Sequence, residues 1–175
     1  MKFLNKPFPA VDPDKYRKTT DFVQTVIIFL LLLLFFTFIR PAAVPSLSMY
    51  PTMDINELSI CLTTSHFDYG DIVLFHPPED PSITYVKRVI GKEGDAIAVH
   101  DGYVWRNGEK LIESYVEEPI EYEMDEIVVP EGEFFLMGDN RNNSQDSHVI
   151  GPIDQDSIYA KVLVHFNPMK ALGLN

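Results

Sequence analysis

The longest apolar run in the chain constrains its fold more than any other feature. Residues 22–39, FVQTVIIFLLLLLFFTFI, contain three polar side chains and no charged one. Eighteen helical residues rise about 27 Å, close to the roughly 30 Å hydrocarbon thickness of a bilayer. The run therefore predicts one transmembrane helix over residues 22–39, ended by Arg40 and Pro41.

Charge is distributed unevenly on the two sides of this run. Residues 1–21 contain five Lys or Arg and three Asp, whereas the rest of the chain contains nine basic and twenty-three acidic residues. Basic flanks of transmembrane helices stay in the cytoplasm, so the pattern predicts a cytoplasmic tail (1–21) and an extracytoplasmic domain (40–175). A cleavable signal peptide is the alternative, since Ala42 and Ala43 follow the run. We favour an anchor, because the apolar part of a signal peptide is usually only about 7–15 residues long.

The overall composition argues against several classes of protein. A formal net charge of −12 and the lack of a basic patch disfavour nucleic-acid binding. The single cysteine, Cys61, cannot form an internal disulfide, and no Cys/His pair has the spacing of zinc ligands. We therefore predict no metal, no other cofactor and no nucleic-acid partner.

Beyond the apolar run the sequence has the pattern of strands. Short segments rich in β-branched and aromatic residues are bounded by Gly, Pro, Asn or Asp, which predicts a mostly β domain. These segments are 71–75, 83–90, 96–100, 103–105, 126–129, 133–137 and 160–166. Asn107-Gly108 predicts a tight hairpin turn. The acidic stretch 113–126 is typical of an exposed, solvated excursion.

A stretch bounded by two prolines, residues 45–53, follows the apolar run closely. Pro45 and Pro51 restrict their own backbones and those of the preceding residues, so Ser48 lies in a stiffened segment. A serine hydroxyl is a weak nucleophile and needs a neighbouring base. Serines in such loops are more often turn formers, so the stretch alone does not establish catalysis.

A candidate base lies in the predicted strand 83–90. Alternation places Lys87 on one face with Tyr85 and Val89, and places Arg88 on the other. Burial among apolar neighbours lowers the pKa of a lysine ammonium, as a general base requires. The pattern equally allows the opposite arrangement, in which Lys87 is solvated and Arg88 points inward to an acid.

The most polar and turn-prone segment is 137–151, MGDNRNNSQDSHVIG. Its simplest interpretation is an Asx-rich loop between strands. A calcium loop is disfavoured, because Arg141 stands where an oxygen ligand is needed and no glycine follows at the required place. A Ser-His-Asp triad is disfavoured too, because Ser48 lacks the Gly-x-Ser-x-Gly elbow.

Four motifs follow the apolar run in order: PSLSMYPTM (45–53), GDIVLF (70–75), YVKRVIGKEGD (85–95) and GDNRNNSQDSHVIG (138–151). In this combination the chain closely resembles bacterial type I signal peptidases, the Ser/Lys proteases of the bacterial cell membrane that remove signal peptides from secreted preproteins. The resemblance covers most of the chain, and the short linker between the last two motifs resembles the compact Gram-positive members. It implies antiparallel β-sheets of the signal-peptidase and LexA-like type.

By this resemblance, Ser48 is the nucleophile and Lys87 the general base of an acyl-enzyme mechanism. The hydroxyl of Ser46 and the backbone N–H of Ser48 would form the oxyanion hole. Ser144 would hold the lysine amine by a hydrogen bond.

The resemblance also implies a supporting role for Asp146, which in the family braces this region through an arginine two positions on. Here that position is His148. A histidine can still pair with Asp146, but an imidazole loses its charge near neutral pH, so the bracing is open at this position.

Substrate selection follows from the same resemblance. Shallow apolar pockets suited to an Ala-x-Ala site would be lined by Val44, Met49, Met53, Tyr85 and Val86. A signal peptide would bind extended, pairing with strand edges near Ser46 and strand 83–90, while enzyme and substrate share the bilayer.

Two alternatives are weaker. A LexA-like self-cleaving protein shares Ser/Lys chemistry, but the apolar run and the lack of an N-terminal helix-turn-helix argue against it. A catalytically idle, membrane-anchored β domain that binds secreted chains is disfavoured by the presence of both Ser48 and Lys87.

Overall fold

The computed structural model describes residues 13–43 and 46–173 and divides the chain into two compact units, Met1–Thr37 and Phe38–Asn175. Helix α1 (Pro13–Phe38) is long and apolar enough to cross a membrane. The helix ends one residue before the predicted end of the apolar run, because Ile39 is the first residue of strand β1. Strand β1 (Ile39–Ala43) begins there since Ile39 pairs with Leu62 of the next strand.

The second unit is built mainly of antiparallel strands. The strands after β1 are Leu58–Thr63 (β2), Ile72–Phe75 (β3), Tyr85–Lys92 (β4), Ala96–His100 (β5), Tyr103–Arg106 (β6), Glu109–Lys110 (β7), Met124–Val128 (β8), Glu133–Met137 (β9), Ile153–Asp154 (β10) and Ile158–Phe166 (β11). Short helical segments are Ser147–Ile150 (α2), the 3₁₀ turn Gln155–Ser157 and Pro168–Ala171 (α3).

Within the described residues the strands form two sheets. One has seven strands in the order β1-β2-β11-β3-β4-β9-β10, and the other has four in the order β7-β6-β5-β8. Every strand pair is antiparallel. The prediction of a mostly antiparallel β fold with one N-terminal apolar helix is therefore confirmed.

The strand pattern located most strands but missed β1, β2 and β10. Strand β1 contains Pro41, which is tolerated because β1 is an edge strand and needs no N–H toward a further neighbour. In β2 the apolar Leu58 and Ile60 are exposed while Ser59 is buried, so polarity alone does not reveal the buried face. The predicted hairpin is confirmed: Asn107 and Gly108 have φ of 54° and 77°, and they join β6 to β7.

Strand β4 lies between β3 and β9 and is buried on both faces. Val89, Ile90 and Val86 each belong to a different core cluster. Because β4 is central, Lys87 and Arg88 are both buried, with 3% and 9% of their surface exposed. The prediction that Lys87 is buried is therefore confirmed, and the alternative is wrong in placing Lys87 in solvent, although Arg88 does point inward to an acid.

Candidate active site

Two buried methionines anchor the turn that carries Ser48. Met49 and Met53 are fully buried, and the amide of Met53 donates to the carbonyl of Met49 over 2.8 Å. The amide of Tyr50 donates to the carbonyl of Leu47 over 3.0 Å, which closes the turn around Ser48. These contacts hold the backbone of the candidate nucleophile at residues 46–53.

The amine of Lys87 lies beside the Ser48 hydroxyl. Lys87 Nζ donates to Ser48 Oγ over 2.8 Å and to the carbonyl oxygen of Val86 over 3.1 Å. Desolvation by burial lowers the pKa of Lys87 to about 8, although the negative charges of Asp146 and Asp139 act in the opposite direction. A large fraction of this amine is therefore neutral at mildly alkaline pH, as proton abstraction from serine requires.

Ser46 approaches the same hydroxyl from the nucleophile turn. Its Oγ lies 3.2 Å from Ser48 Oγ. The backbone N–H of Ser48 donates to no acceptor within residues 13–43 and 46–173. Both donors expected for an oxyanion hole therefore lie close to the candidate nucleophile.

Arg88 occupies the opposite face of β4 and is neutralised there by Asp139. Arg88 Nε and Nη2 donate to the two carboxylate oxygens over 2.8 and 2.6 Å, and Nη1 donates to the carbonyl of Gly70 over 2.8 Å. Such a planar, two-bond pair suits a buried guanidinium. Sequence reasoning missed Asp139. Two sequence features could have indicated this acid: an arginine within an apolar strand, and the Gly-Asp pair at the start of the polar segment.

The segment 138–144 packs directly on the nucleophile turn. The amide of Asn140 donates to the Ser48 carbonyl over 3.0 Å, and its side-chain Nδ2 donates to the Leu47 carbonyl over 3.2 Å. A Cβ atom on Gly138 would collide with the Ser48 carbonyl oxygen and with Ser144 Oγ. Only glycine fits at this contact.

Ser144 differs from its expected role. Its Oγ is buried and has no hydrogen-bond partner within the described part of the chain. The Lys87 amine donates instead to Ser48 Oγ and the Val86 carbonyl. Ser144 lies against Gly138, so the expected hydrogen bond to the lysine is not formed in this arrangement.

Asp146 and His148 do pair. Asp146 Oδ1 lies 2.7 Å from His148 Nδ1, and Oδ2 accepts the amide of Gly138 over 2.8 Å. Asp146 is fully buried and also caps helix α2 by accepting the amide of His148. The imidazole stacks on Tyr122, with ring centroids 4.3 Å apart and planes 15° apart. His148 therefore contacts Asp146 in the position where the family pattern has an arginine.

A cleft of about 660 Å³ opens onto the Ser48 hydroxyl and the Lys87 amine. Of the predicted substrate-contacting residues, Met49, Tyr85 and Val86 line it. Met53 does not line it, and its side chain lies in the core cluster that also contains Met49 and Val86. Val44 lies outside the described residues. Cleft residues that the sequence did not single out are Leu47, Ile55, Ile83, Thr84, Asn143 and Gln145.

One wall of the cleft is a strand edge. Strand β4 pairs with β3 from Tyr85 onward but with β9 only from Arg88 onward. Both backbone groups of Val89 bond on the β3 side, to Gly70 and Asp71. Backbone groups point alternately to the two sides of a strand, so the N–H and C=O of Val86 point to the β9 side of β4. Strand β9 does not extend as far as Val86 and leaves these groups without a strand partner. The Val86 carbonyl accepts Lys87 Nζ, but no described strand pairs with Val86 on this side, so an added strand can pair there.

Among the described residues, no group of three or more His, Cys, Asp or Glu side chains is arranged to hold a metal ion.

Comparison with known families decides the assignment. The family model described as signal peptidase, peptidase S26, matches residues 18–166, most of the chain. The chain belongs to the peptidase S26 signal peptidase family. The predicted family and the prediction that the chain is a peptidase are thereby confirmed, which sets aside an idle binding domain.

Two relatives found by sequence, from Synechocystis and Leptolyngbya laminosa, support the assignment. The chain is 38% identical to "Probable signal peptidase I-1" of Synechocystis, over 97% of this chain and 91% of the relative. It is 40% identical to signal peptidase I of Leptolyngbya laminosa, over 78% and 73% respectively. A crystal structure of a signal peptidase I from Enterococcus faecalis has a TM-score of 0.48 and 28% identity, covering 57% of this chain and 97% of the other.

Proposed function

We propose that this peptidase removes N-terminal signal peptides from secreted preproteins, cutting after an Ala-x-Ala-type site with a Ser48/Lys87 dyad. The contact of 2.8 Å between Lys87 Nζ and Ser48 Oγ carries the proposal. A buried amine of lowered pKa beside a serine hydroxyl is the arrangement that nucleophilic catalysis without histidine requires.

The reaction proceeds in two halves. Neutral Lys87 takes the hydroxyl proton of Ser48 as Oγ bonds to the scissile carbonyl carbon, and the Ser46 hydroxyl and Ser48 amide stabilise the developing oxyanion. The carbon–nitrogen bond then breaks, and the Lys87 ammonium gives its proton to the leaving amine. Water next attacks the acyl-enzyme while Lys87 accepts its proton and returns one to Ser48 Oγ, which frees the signal peptide.

The open edge at Val86 supports binding of an extended peptide. A peptide strand placed there would pair with the backbone groups that β9 does not reach, in the manner of β-augmentation. Met49, Tyr85 and Val86 line the cleft beside the dyad, and apolar walls of this kind suit small apolar side chains next to the scissile bond.

Helix α1 supports membrane anchoring. In this arrangement residues 1–21 are cytoplasmic and residues 40–175 form the extracytoplasmic catalytic domain. The apolar run 22–39 spans the bilayer, and its helical part ends at Phe38. Sharing the bilayer with the apolar part of a signal peptide raises the effective concentration of the substrate.

Cleavage of a preprotein by the purified full chain in detergent tests the substrate. We expect a cut after the second alanine of an Ala-x-Ala site, measured by N-terminal sequencing of the product. Replacing that alanine by leucine in the substrate should abolish the cut, because the proposed site accepts only a small side chain next to the scissile bond. The control changes only the middle residue of the site and should be cut normally. An uncut preprotein, or equal cutting of the leucine substrate, would contradict the proposed function.

The pH dependence of the reaction follows from Lys87. The reactive form is the neutral amine, so with a pKa of about 8 the rate should rise as pH increases through that value. About a tenth of the enzyme is in the reactive form at pH 7 and about nine tenths at pH 9. A series of kcat/KM values from pH 6 to 10 measures this titration in the free enzyme. A profile flat across this range would rule out Lys87 as the base.

A further inference from the structure

The acidic stretch predicted to be solvated instead contacts the active-site loop. We name residues 113–122 the strap and residues 138–148 the active-site loop. Ile120 of the strap is only 6% exposed, and the Asn142 side chain bonds to the backbone of both Pro119 and Glu121. The strap is therefore attached along the outside of the active-site loop.

Glu113 of the strap forms a largely buried ion pair with Arg141. Its two carboxylate oxygens accept Arg141 Nη1 and Nη2 over 2.8 and 2.7 Å, and the side chains are 9% and 1% exposed. Arg141 Nε donates to the carbonyl of Gly138 over 3.0 Å. A charged pair of this kind orients the guanidinium and, through it, the Gly138 carbonyl.

Tyr115 joins the strap to the second buried arginine. Its hydroxyl donates to Glu113 Oε1 over 2.6 Å, and its ring lies 4.0 Å from the guanidinium carbon of Arg88. Arg88 in turn holds Asp139, which is the next residue after Gly138. The stacked ring of Tyr115 limits the movement of the Arg88 guanidinium, and the Asp139 carboxylate holds the N–H donors of that guanidinium in place.

Tyr122 reaches the same loop from the other end of the strap. It stacks on His148, which contacts Asp146, and Asp146 accepts the amide of Gly138. The two backbone groups of Gly138 are thus held from the two ends of the strap.

Gly138 transmits this restraint to the nucleophile, because its Cα packs against the Ser48 carbonyl and Asn140 bonds to that carbonyl. We propose that Glu113 is a positioning residue for the nucleophile: through Arg141 it fixes the backbone of Gly138, against which the turn of Ser48 is seated. This inference rests on the proposed function for its catalytic consequence. A small displacement of a nucleophile lowers the reaction rate strongly, so a restraint on the Ser48 turn supports catalysis.

Glu113→Gln and Glu118→Gln provide a matched pair of variants. Both remove one carboxylate charge from the strap, but Glu118 is exposed, whereas Glu113 is paired with Arg141. With the full chain and the Ala-x-Ala preprotein, we expect kcat per folded molecule to fall about tenfold in Glu113→Gln with KM changed less than about twofold. Glu118→Gln should match the unaltered enzyme.

Hydrogen exchange read by mass spectrometry separates positioning from general destabilisation. In Glu113→Gln, peptides covering 46–53 and 138–142 should exchange faster while those of β4 and β9 keep their protection. Should Glu113→Gln fail to fold, Tyr115→Phe, which removes only the hydroxyl bond to Glu113, should give the same local pattern with a smaller loss of kcat.

Three results would overturn the inference: unchanged kcat with unchanged exchange, uniformly faster exchange with normal activity per folded molecule, or an equal loss in Glu118→Gln. A failure of the proposed function is distinguishable, because the unaltered enzyme would then leave the preprotein uncut. The exchange comparison still decides whether Glu113 restrains the nucleophile turn.

Discussion

Replacing Lys87 by alanine is expected to lower kcat for preprotein cleavage by about 10²–10⁴-fold, the range typical of a lost general base. The amine lies 2.8 Å from Ser48 Oγ, and no other lysine or histidine contacts that oxygen within the described part of the chain. Ser48→Ala removes the attacking oxygen itself and should abolish cleavage. Both variants should stay folded, since each shortens a side chain without adding a buried charge.

Lys92→Ala is the matched control for Lys87→Ala. Lys92 lies on the same strand, but its amine pairs with Asp68, whose side chain is 85% exposed. Exposed pairs of this kind contribute little, so cleavage and folding should match the unaltered enzyme. Initial rates of preprotein cleavage, normalised to folded protein by circular dichroism, measure all three variants. Normal cleavage by Lys87→Ala would exclude the Ser48/Lys87 dyad.

Gly138→Ala is expected to lower kcat by about 100-fold, because the new methyl group would displace the backbone of the nucleophile. Its Cβ would collide with the Ser48 carbonyl oxygen, which is a backbone atom, and with the buried Oγ of Ser144. Overpacking of this kind also costs about 1–3 kcal/mol of stability. Activity per folded molecule, with the free energy of unfolding from urea denaturation, separates the two effects.

Gly91→Ala serves as the control for the added methyl group. A Cβ there would lie 2.9 Å from Cδ1 of Ile97, the end of a flexible side chain, and 3.1 Å from Cβ of Phe135. This variant should also lose stability, but its folded fraction should cleave normally, since the contact does not involve the nucleophile turn. Equal activity per folded molecule in the two glycine variants would show that Gly138 does not position Ser48.

The elements with a strong local pattern were predictable. Strands β5 and β9 have the bounds expected from their β-branched and aromatic residues, and the turn at Asn107-Gly108 has the positive φ angles that its residues favour. Strand β1 was not predictable in this way, because Pro41 indicates the end of a regular element. The structure accommodates Pro41 because β1 lies at the edge of its sheet.

The candidate site was predictable where a sequence motif identifies the residue and not where packing alone decides what a side chain contacts. Resemblance supplied Ser48 and Lys87, whose atoms prove to be in contact. It also supplied Met53 for a pocket, yet packing buries this side chain beneath the cleft. Glu113 was assigned to solvent, because a run of acidic residues carries no sign of the arginine that meets it 28 residues later.

By itself, the sequence determined the apolar helix and the mostly β class, because both depend on local patterns of apolar residues. Four contiguous motifs identified the family, and the resemblance to that family implied the antiparallel sheets. Only the tertiary structure decided that Lys87 and Arg88 are both buried, on opposite faces of one strand, and that the acidic strap holds the loop against the nucleophile. The physical reason is that burial and ion pairing depend on which strands become neighbours. That order is set by the packing of the whole domain.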